Sequence, residues 1–179
     1  MRYGLTGTMS TGKTTMVKAL AEHDYFKGKE YKFFTERSKY LMSMGIPLNQ
    51  SSTYKGQLVF FAERASELMQ DNMVTDRTVL DVFAFSKAAE KEIGYGRVNA
   101  LEHIKDELKG EYDILFYVPI IDEIPMENNG IRETNEDFRR LIDDIIRREF
   151  NAYKGRKYII KATNLNDRID EIVRYIKGD

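Results

Sequence analysis

An α/β fold on a parallel sheet of about five strands, flanked by helices, is the architecture this 179-residue sequence predicts. Three observations carry the prediction. Short apolar segments of strand length alternate with stretches of helical periodicity along the chain. One of them, Ile114, Leu115, Phe116, Tyr117 and Val118, is apolar throughout, the mark of a strand covered on both faces. A glycine-rich turn lies between the first strand segment and the first helix.

Each element has a local reason. Residues 1–6 form a short strand, and residues 13–22 then place Met16, Val17, Leu20 and Ala21 at helical spacing. Residues 31–35 form a second strand, followed by a short helix that Gly45 and Pro47 stop near Met44. A long helix over about residues 52–71 is expected to bury Leu58, Phe61, Ala62, Ala65, Leu68 and Met69. Residues 73–75 make the third strand, ending at Asp76 and Arg77. Helices over about residues 79–92 and 98–108 follow, parted by Gly94 and Gly96, and residues 114–118 form the fourth strand. Residues 122–136 are polar and aperiodic, so a long loop is expected there. A helix over residues 138–153, a strand over 157–161 and a helix over 165–176 close the chain.

Composition narrows the function classes. The 28 Lys plus Arg nearly balance 29 Asp plus Glu, so no long-range field exists to hold duplex nucleic acid or an anionic membrane non-specifically. Only a local basic cleft is compatible. The absence of cysteine excludes disulfides, thiolate metal sites and cysteine nucleophiles. The apolar runs fall short of the roughly 20 residues a membrane helix needs, and no signal-peptide layout is read at the start. One soluble, cytoplasmic domain over residues 1–179 is expected, without internal repeats.

The strongest motif is the turn after the first strand. Gly7, Thr8, Met9, Ser10, Thr11, Gly12, Lys13 and Thr14 satisfy G-x-x-x-x-G-K-[ST] without a mismatch, in the strand-to-helix setting the motif requires. Glycines let the backbone wrap with its N–H groups inward, and the helix offers its positive end. Lys13 then reaches the β- and γ-phosphates and the Thr14 hydroxyl ligates Mg²⁺. Thr15, at the edge of this set, caps or packs. The loop predicts a nucleoside triphosphate, with ATP the expected donor. It leaves open transfer to a small molecule, hydrolysis coupled to motion or signalling, and transfer to a nucleic-acid end; the chain's modest length favours the first.

In parallel α/β sheets ligands bind beyond the carboxyl ends of strands. Gly7, Glu36, Asp76 and Asp122 all follow strand segments. With Thr35, Arg37 and Ser38 around Glu36, with Arg77, Thr78 and Asp81 after Asp76, and with Gly130, Ile131, Arg132, Ala162, Thr163 and Asn164, the ordered set resembles the small P-loop nucleoside and nucleotide kinases. The resemblance covers nearly the whole chain. It is most similar to the AAA-type kinase domains that include nicotinamide riboside kinase domains of bacterial NAD-regulating proteins, and thymidylate-kinase-like and deoxynucleoside kinase proteins of bacteriophages.

That resemblance implies a three-layer P-loop NTPase fold of the nucleotide-kinase type, with residues 122–136 as its lid. It implies that Glu36 takes the proton of an acceptor hydroxyl, chemistry that suits a poor nucleophile; a carboxylate that merely complements a helix start is the alternative. Lys39 stands where the related pattern often has arginine, which weakens bidentate phosphate binding there. Asp76 is expected to hold Mg²⁺ through water, or to act as base if Glu36 does not. Arg77 is expected to hold the acceptor or the moving phosphoryl group through its planar fork. An ion pair fixing a helix start, with Asp76 as cap, is the structural alternative. Asp81 is expected either to brace Arg77 or to lie in solvent.

The resemblance further implies that Arg132 swings onto the phosphates from the lid and that Thr163 and Asn164 pack on the donor adenine. Arg139 and Arg140 are expected near the ligand, and Arg147 and Arg148 on a solvated face. Tyr40, Phe60, Phe61 and Tyr95 are candidates for stacking on an acceptor base, core packing being the commoner use. His23 and His103 lack metal-spaced partners and receive no role.

The expected activity is ATP- and Mg²⁺-dependent phosphorylation of a nucleoside or nucleotide, and Glu36 tilts the choice toward a hydroxyl acceptor. A kinase of a polynucleotide end or of a modified base in DNA, and an ATP-binding regulatory module with weak NTPase activity, are the competing readings. The expected partner is a small nucleoside or nucleotide acceptor. A membrane is not expected, nucleic acid is admitted without being favoured, and a homodimer is left open.

Overall fold

The computed structural model describes residues 1–122 and 135–178. Five strands, β1 (Arg2–Thr6), β2 (Lys32–Phe34), β3 (Met73–Asp76), β4 (Ile114–Tyr117) and β5 (Arg156–Ile159), pair in parallel in the order β2-β3-β1-β4-β5. The helices are α1 (Lys13–Glu22), α2 (Ser38–Ser43), α3 (Tyr54–Leu68), α4 (Val79–Ala88), α5 (Glu90–Ile93), α6 (Tyr95–Lys109), α7 (Glu136–Ala152) and α8 (Leu165–Lys177). The five-stranded parallel sheet is the one expected.

Alternation along the strands sorts the core into two layers. Ile114 and Phe116 of β4, with Leu5 and Val74, pack against Met16, Leu20, Ile169 and Ile172 of α1 and α8. Leu115 and Tyr117, with Met73, face the other way onto Phe61, Leu80, Phe83 and Ile146 of α3, α4 and α7. All residues of α4 from Val79 to Ser86 are buried, so this helix is a second spine beside the sheet.

Register decides what the strand ends bring together. Leu5 of β1 lies opposite both Asp76 of β3 and Phe116 of β4, so the loop leaving β1 emerges between the ends of its two neighbours. Such a central position, between strands that connect in opposite directions, is where open parallel sheets form ligand crevices.

Two expectations change. The helix expected over residues 79–92 breaks at Ala89 into α4 and α5, and α6 starts at Tyr95, behind Gly94 with its positive φ of 95°. More consequential is α3. Its buried face is Gly56, Gln57, Phe60, Phe61, Arg64, Glu67 and Leu68, whereas Ala62 and Met69, expected inside, are exposed. Apolar spacing alone pointed the helix slightly wrong, because three polar residues occupy the inner stripe.

Candidate active site

The loop of residues 7–14 wraps from β1 into α1. Gly12 sits at φ 87°, and a Cβ on Gly7 would come within 2.5 Å of the Val118 carbonyl oxygen, so both positions demand glycine. Lys13 is buried inside the turn, its Nζ donating to the carbonyls of Gly7 and Thr8, each at 2.7 Å. Burial pulls its pKa below the ordinary lysine value, against the opposing pull of Asp76 and Asp81. Thr14 leaves the first turn of α1 toward β3, where its hydroxyl donates to Asp76 Oδ2. Thr15 points outward and is exposed.

Asp76 and Asp81 have separate jobs. Asp76 is buried at the end of β3 and faces Thr14. It does not cap the following helix: Thr78 does, in a reciprocal capping box with Asp81. Asp81 is fully buried and neither braces Arg77 nor meets solvent. Its carboxylate accepts from Thr6 Oγ1 at 2.8 Å, from the Gly7 N–H at 3.0 Å and from the Thr78 N–H at 2.7 Å, tying the start of the phosphate loop to the start of α4.

Arg77 and Glu36 meet. Arg77 holds φ 99°, an uncommon backbone state for a side chain-bearing residue, and its guanidinium lies 3.4 Å from Glu36 Oε2. It also stands 4.9 Å from the ring centre of Phe85 and 5.8 Å from that of Phe60. The other Glu36 oxygen accepts from the Ser38 N–H at 2.8 Å, at the start of α2. Burial would raise the Glu36 carboxyl, but Arg77 and the Ser38 hydrogen bonds outweigh it and bring the group down to about 2.

Beside this pair lies a narrow cleft of about 20 Å³ walled by Ser38, Ser52, Gln57, Phe60, Arg77 and Phe85, among others. Two polar atoms in its wall, Ser52 Oγ and Gln57 Oε1, are buried without a hydrogen-bond partner. Orphaned buried acceptors and donors are uncommon in folded proteins and call for a partner, a water or a ligand group. Of the four aromatic residues expected to stack, only Phe60 lines the cleft. Phe61 is in the core, and Tyr40 and Tyr95 are exposed.

Sequence reasoning overlooked Ser52, Gln57, Arg64 and Glu67. Arg64 is fully buried, donating to the Arg77 carbonyl at 3.1 Å and to Glu67 Oε1 at 2.7 Å, while Glu67 Oε2 accepts from Thr75 Oγ1 at 2.7 Å. The available signal was the spacing: Gln57, Arg64 and Glu67 recur at helical intervals with Phe60 and Phe61.

Other expectations fare differently. Arg139 is buried against the carbonyls of Met9 and Ser10 in the residue 7–14 loop, and Arg140 pairs with Asp122 and Glu136 at the surface. Arg147 and Arg148 are exposed, as expected. Asn164 caps α8 through its side chain, and Thr163 beside it is exposed. Arg132 and most of the expected lid lie outside the described residues.

The family model described as AAA domain matches residues 2–168. No curated protein matches the sequence. Among solved structures, a deoxyadenosine kinase from M. mycoides with dCMP and dCDP bound aligns over all of both chains with a TM-score of 0.72 at 14% identity. The NadR protein in complex with NR gives a TM-score of 0.74 at 17% identity, over 99% of this chain and 51% of that one. Thymidylate kinase from Candida albicans gives 0.66 at 15% identity, over 98% of this chain and 90% of that one. The chain therefore belongs to the AAA domain family, and its fold is that of the P-loop nucleoside and nucleotide kinases.

Proposed function

We propose that the protein is an ATP- and Mg²⁺-dependent kinase, one domain over residues 1–179, that phosphorylates a hydroxyl group of a nucleoside. The observation that carries this reading is the Glu36–Arg77 pair at the wall of a cleft with two unpartnered polar atoms, within electrostatic reach of Lys13 in the phosphate loop. The kinases that share the fold, one of deoxyadenosine and one of thymidylate, make the class a natural one for this chain.

The residues divide the work. Amides of residues 7–14 and Lys13 hold the β- and γ-phosphates of the donor. Thr14 and Asp76 present only oxygen to a cation, which fits a hard ion such as Mg²⁺. Thr14 and Asp76 would hold such an ion together with oxygens of phosphate and water. Bound Mg²⁺ would neutralise charge on the phosphates. Thr163 and Asn164 would flank the donor base.

At about 2, Glu36 is ionised throughout the physiological range and is a weak proton acceptor. It aligns the hydroxyl through a charge-assisted hydrogen bond and receives the proton only as the phosphoryl group arrives. Arg77 neutralises the transferring group from the other side. A neutral acceptor fits better than a monophosphate, because Arg77 is the one cation in the described wall of the cleft and Glu36 already engages it. A second anion there would face Glu36 with little compensation.

Transfer from labelled ATP tests the reading, using ribonucleosides, deoxynucleosides, nicotinamide riboside, monophosphates and single-stranded DNA as acceptors. Phosphorylation of a nucleoside that Lys13→Ala abolishes is the expected result. Transfer confined to monophosphates or to DNA would defeat the hydroxyl assignment, and transfer by Lys13→Ala at the wild-type rate would defeat the site itself.

A further inference from the structure

We infer that Arg139 and Arg168 are positioning residues for the donor phosphates, gripping the outer rim of the residue 7–14 loop so that its amides turn toward the ligand. The inference rests on reading that loop as a phosphate cradle. The two side chains come from helices on opposite faces of the sheet, α7 and α8. Each is 3% exposed. Arg139 donates through Nε to the Met9 carbonyl at 3.2 Å and through Nη2 to the Ser10 carbonyl at 3.1 Å. Arg168 donates through Nη1 to the Thr11 carbonyl at 2.9 Å. Three consecutive carbonyls are thus held by guanidinium donors.

The consequence follows from peptide geometry. In a planar trans unit the C=O and N–H point in opposite directions. Anchoring the carbonyls of Met9, Ser10 and Thr11 on the arginines therefore turns the N–H groups of Ser10, Thr11 and Gly12 to the side away from them. Ser10 is also left-handed, at φ 55°, without being glycine; such a backbone persists where its surroundings over-determine it, and Arg139 bonds its carbonyl.

Burying a guanidinium is unfavourable unless its surroundings compensate, and among the described residues Glu136 faces Arg139 and Glu171 acts on Arg168. Arg139 has Glu136 at 3.3 Å, on a side chain 43% exposed. Arg168 Nη2 is buried with no partner. Two positive charges behind a loop add to its attraction for a polyanion. Both arginines also tie the loop to neighbouring segments. Thr8 Oγ1 donates back to the Arg139 carbonyl at 2.9 Å, and Arg168 Nε donates to the Ala162 carbonyl at 2.9 Å, just before Thr163 and Asn164.

Calorimetric titration with magnesium tripolyphosphate tests this on the wild type, on Arg139→Lys and Arg168→Lys, and on Lys105→Met. Lysine keeps the charge but lacks the fixed fork that spans two acceptors. Lys105 is equally buried, pairs with Glu149 between α6 and α7 and contacts none of the loop, so its variant controls for general loosening. Each arginine variant should bind about 10-fold more weakly or worse, with KM for MgATP rising in step and kcat at saturation changing little. Arg139→Met and Arg168→Met should lose more; where they fail to fold, the lysine variants decide. Wild-type affinity in the folded lysine variants overturns the inference, as does an equal loss in Lys105→Met. Failure of the wild type to bind tripolyphosphate would instead refute the phosphate-cradle reading beneath it.

Discussion

Glu36 and Asp76 are two carboxylates at neighbouring strand ends with different partners, and single-atom substitutions separate their roles. Glu36→Gln keeps the shape and removes the charge that Arg77 and the Ser38 N–H both favour. The expected result is a fall in kcat of about 10²- to 10³-fold with little change in KM for ATP, read in a steady-state assay. Asp76→Asn removes the negative charge beside the Thr14 hydroxyl and should raise the Mg²⁺ concentration needed for half-maximal activity. A variant that keeps the wild-type Mg²⁺ dependence but loses turnover would reassign Asp76 as the base. The pH behaviour of Glu36 has a defined sign. Its folded pKa, about 2, lies below the ordinary 4.5, so its contribution to stability is complete above pH 4.5 and is lost as pH falls toward 2. Activity should accordingly show no acid limb from Glu36 between pH 5 and 7.

At the scale of elements, α3 does two things at once: it packs Phe60, Phe61 and Leu68 into the core and carries a buried ion pair beneath the candidate active site. Arg64 grips the carbonyl of the left-handed Arg77, and Glu67 holds Arg64 and Thr75. Removing Arg64 leaves the buried Glu67 carboxyl without its cation. Arg64→Met should destabilise the protein by about 3–5 kcal/mol in urea denaturation. The double variant Arg64→Met with Glu67→Met should recover at least about 2 kcal/mol of that loss yet remain catalytically impaired, because the Arg77 backbone is still unheld. If the single and double variants are equally unstable, the pair is not the unit described. Burial lifts the Glu67 carboxyl to about 7, against the pull of Arg64 and Thr75. A folded pKa above the ordinary value of 4.5 favours folding at low pH, and the benefit is lost as pH rises through 7. Glu67→Gln should therefore flatten the decline of stability between pH 5 and 8, seen in melting temperature.

For the whole molecule, the site draws on both layers of the fold: the phosphate loop starts α1 on one face of the sheet, and α3 and α4 wall the cleft on the other. Ligand binding should therefore stabilise the domain globally. MgATP at about 100 times its Kd should add roughly 2.7 kcal/mol, visible as a higher melting temperature in the wild type and absent in Lys13→Ala. Much of this plan was legible in the chain. The alternation of strand and helix, the complete phosphate-loop motif and the charged pair at Asp76 and Arg77 are local patterns, because periodicity and turn chemistry act over a few residues. Among the described residues no helix is long and apolar enough to cross a membrane, which agrees with the short apolar runs. The polar stripe of α3 was not legible: Gln57, Arg64 and Glu67 are buried because of what lies opposite them, which hydropathy does not record. Nor was the placement of Arg139, whose partners Met9 and Ser10 lie about 130 residues away in sequence. By itself the sequence determined the order of elements, the phosphate loop and the strand-end carboxylates, since each is set by neighbours along the chain. The tertiary structure alone decided which face of α3 is buried, that Arg77 meets Glu36 and that Asp81 ties the loop to α4. Those are contacts between segments far apart in sequence, fixed by strand register and helix packing.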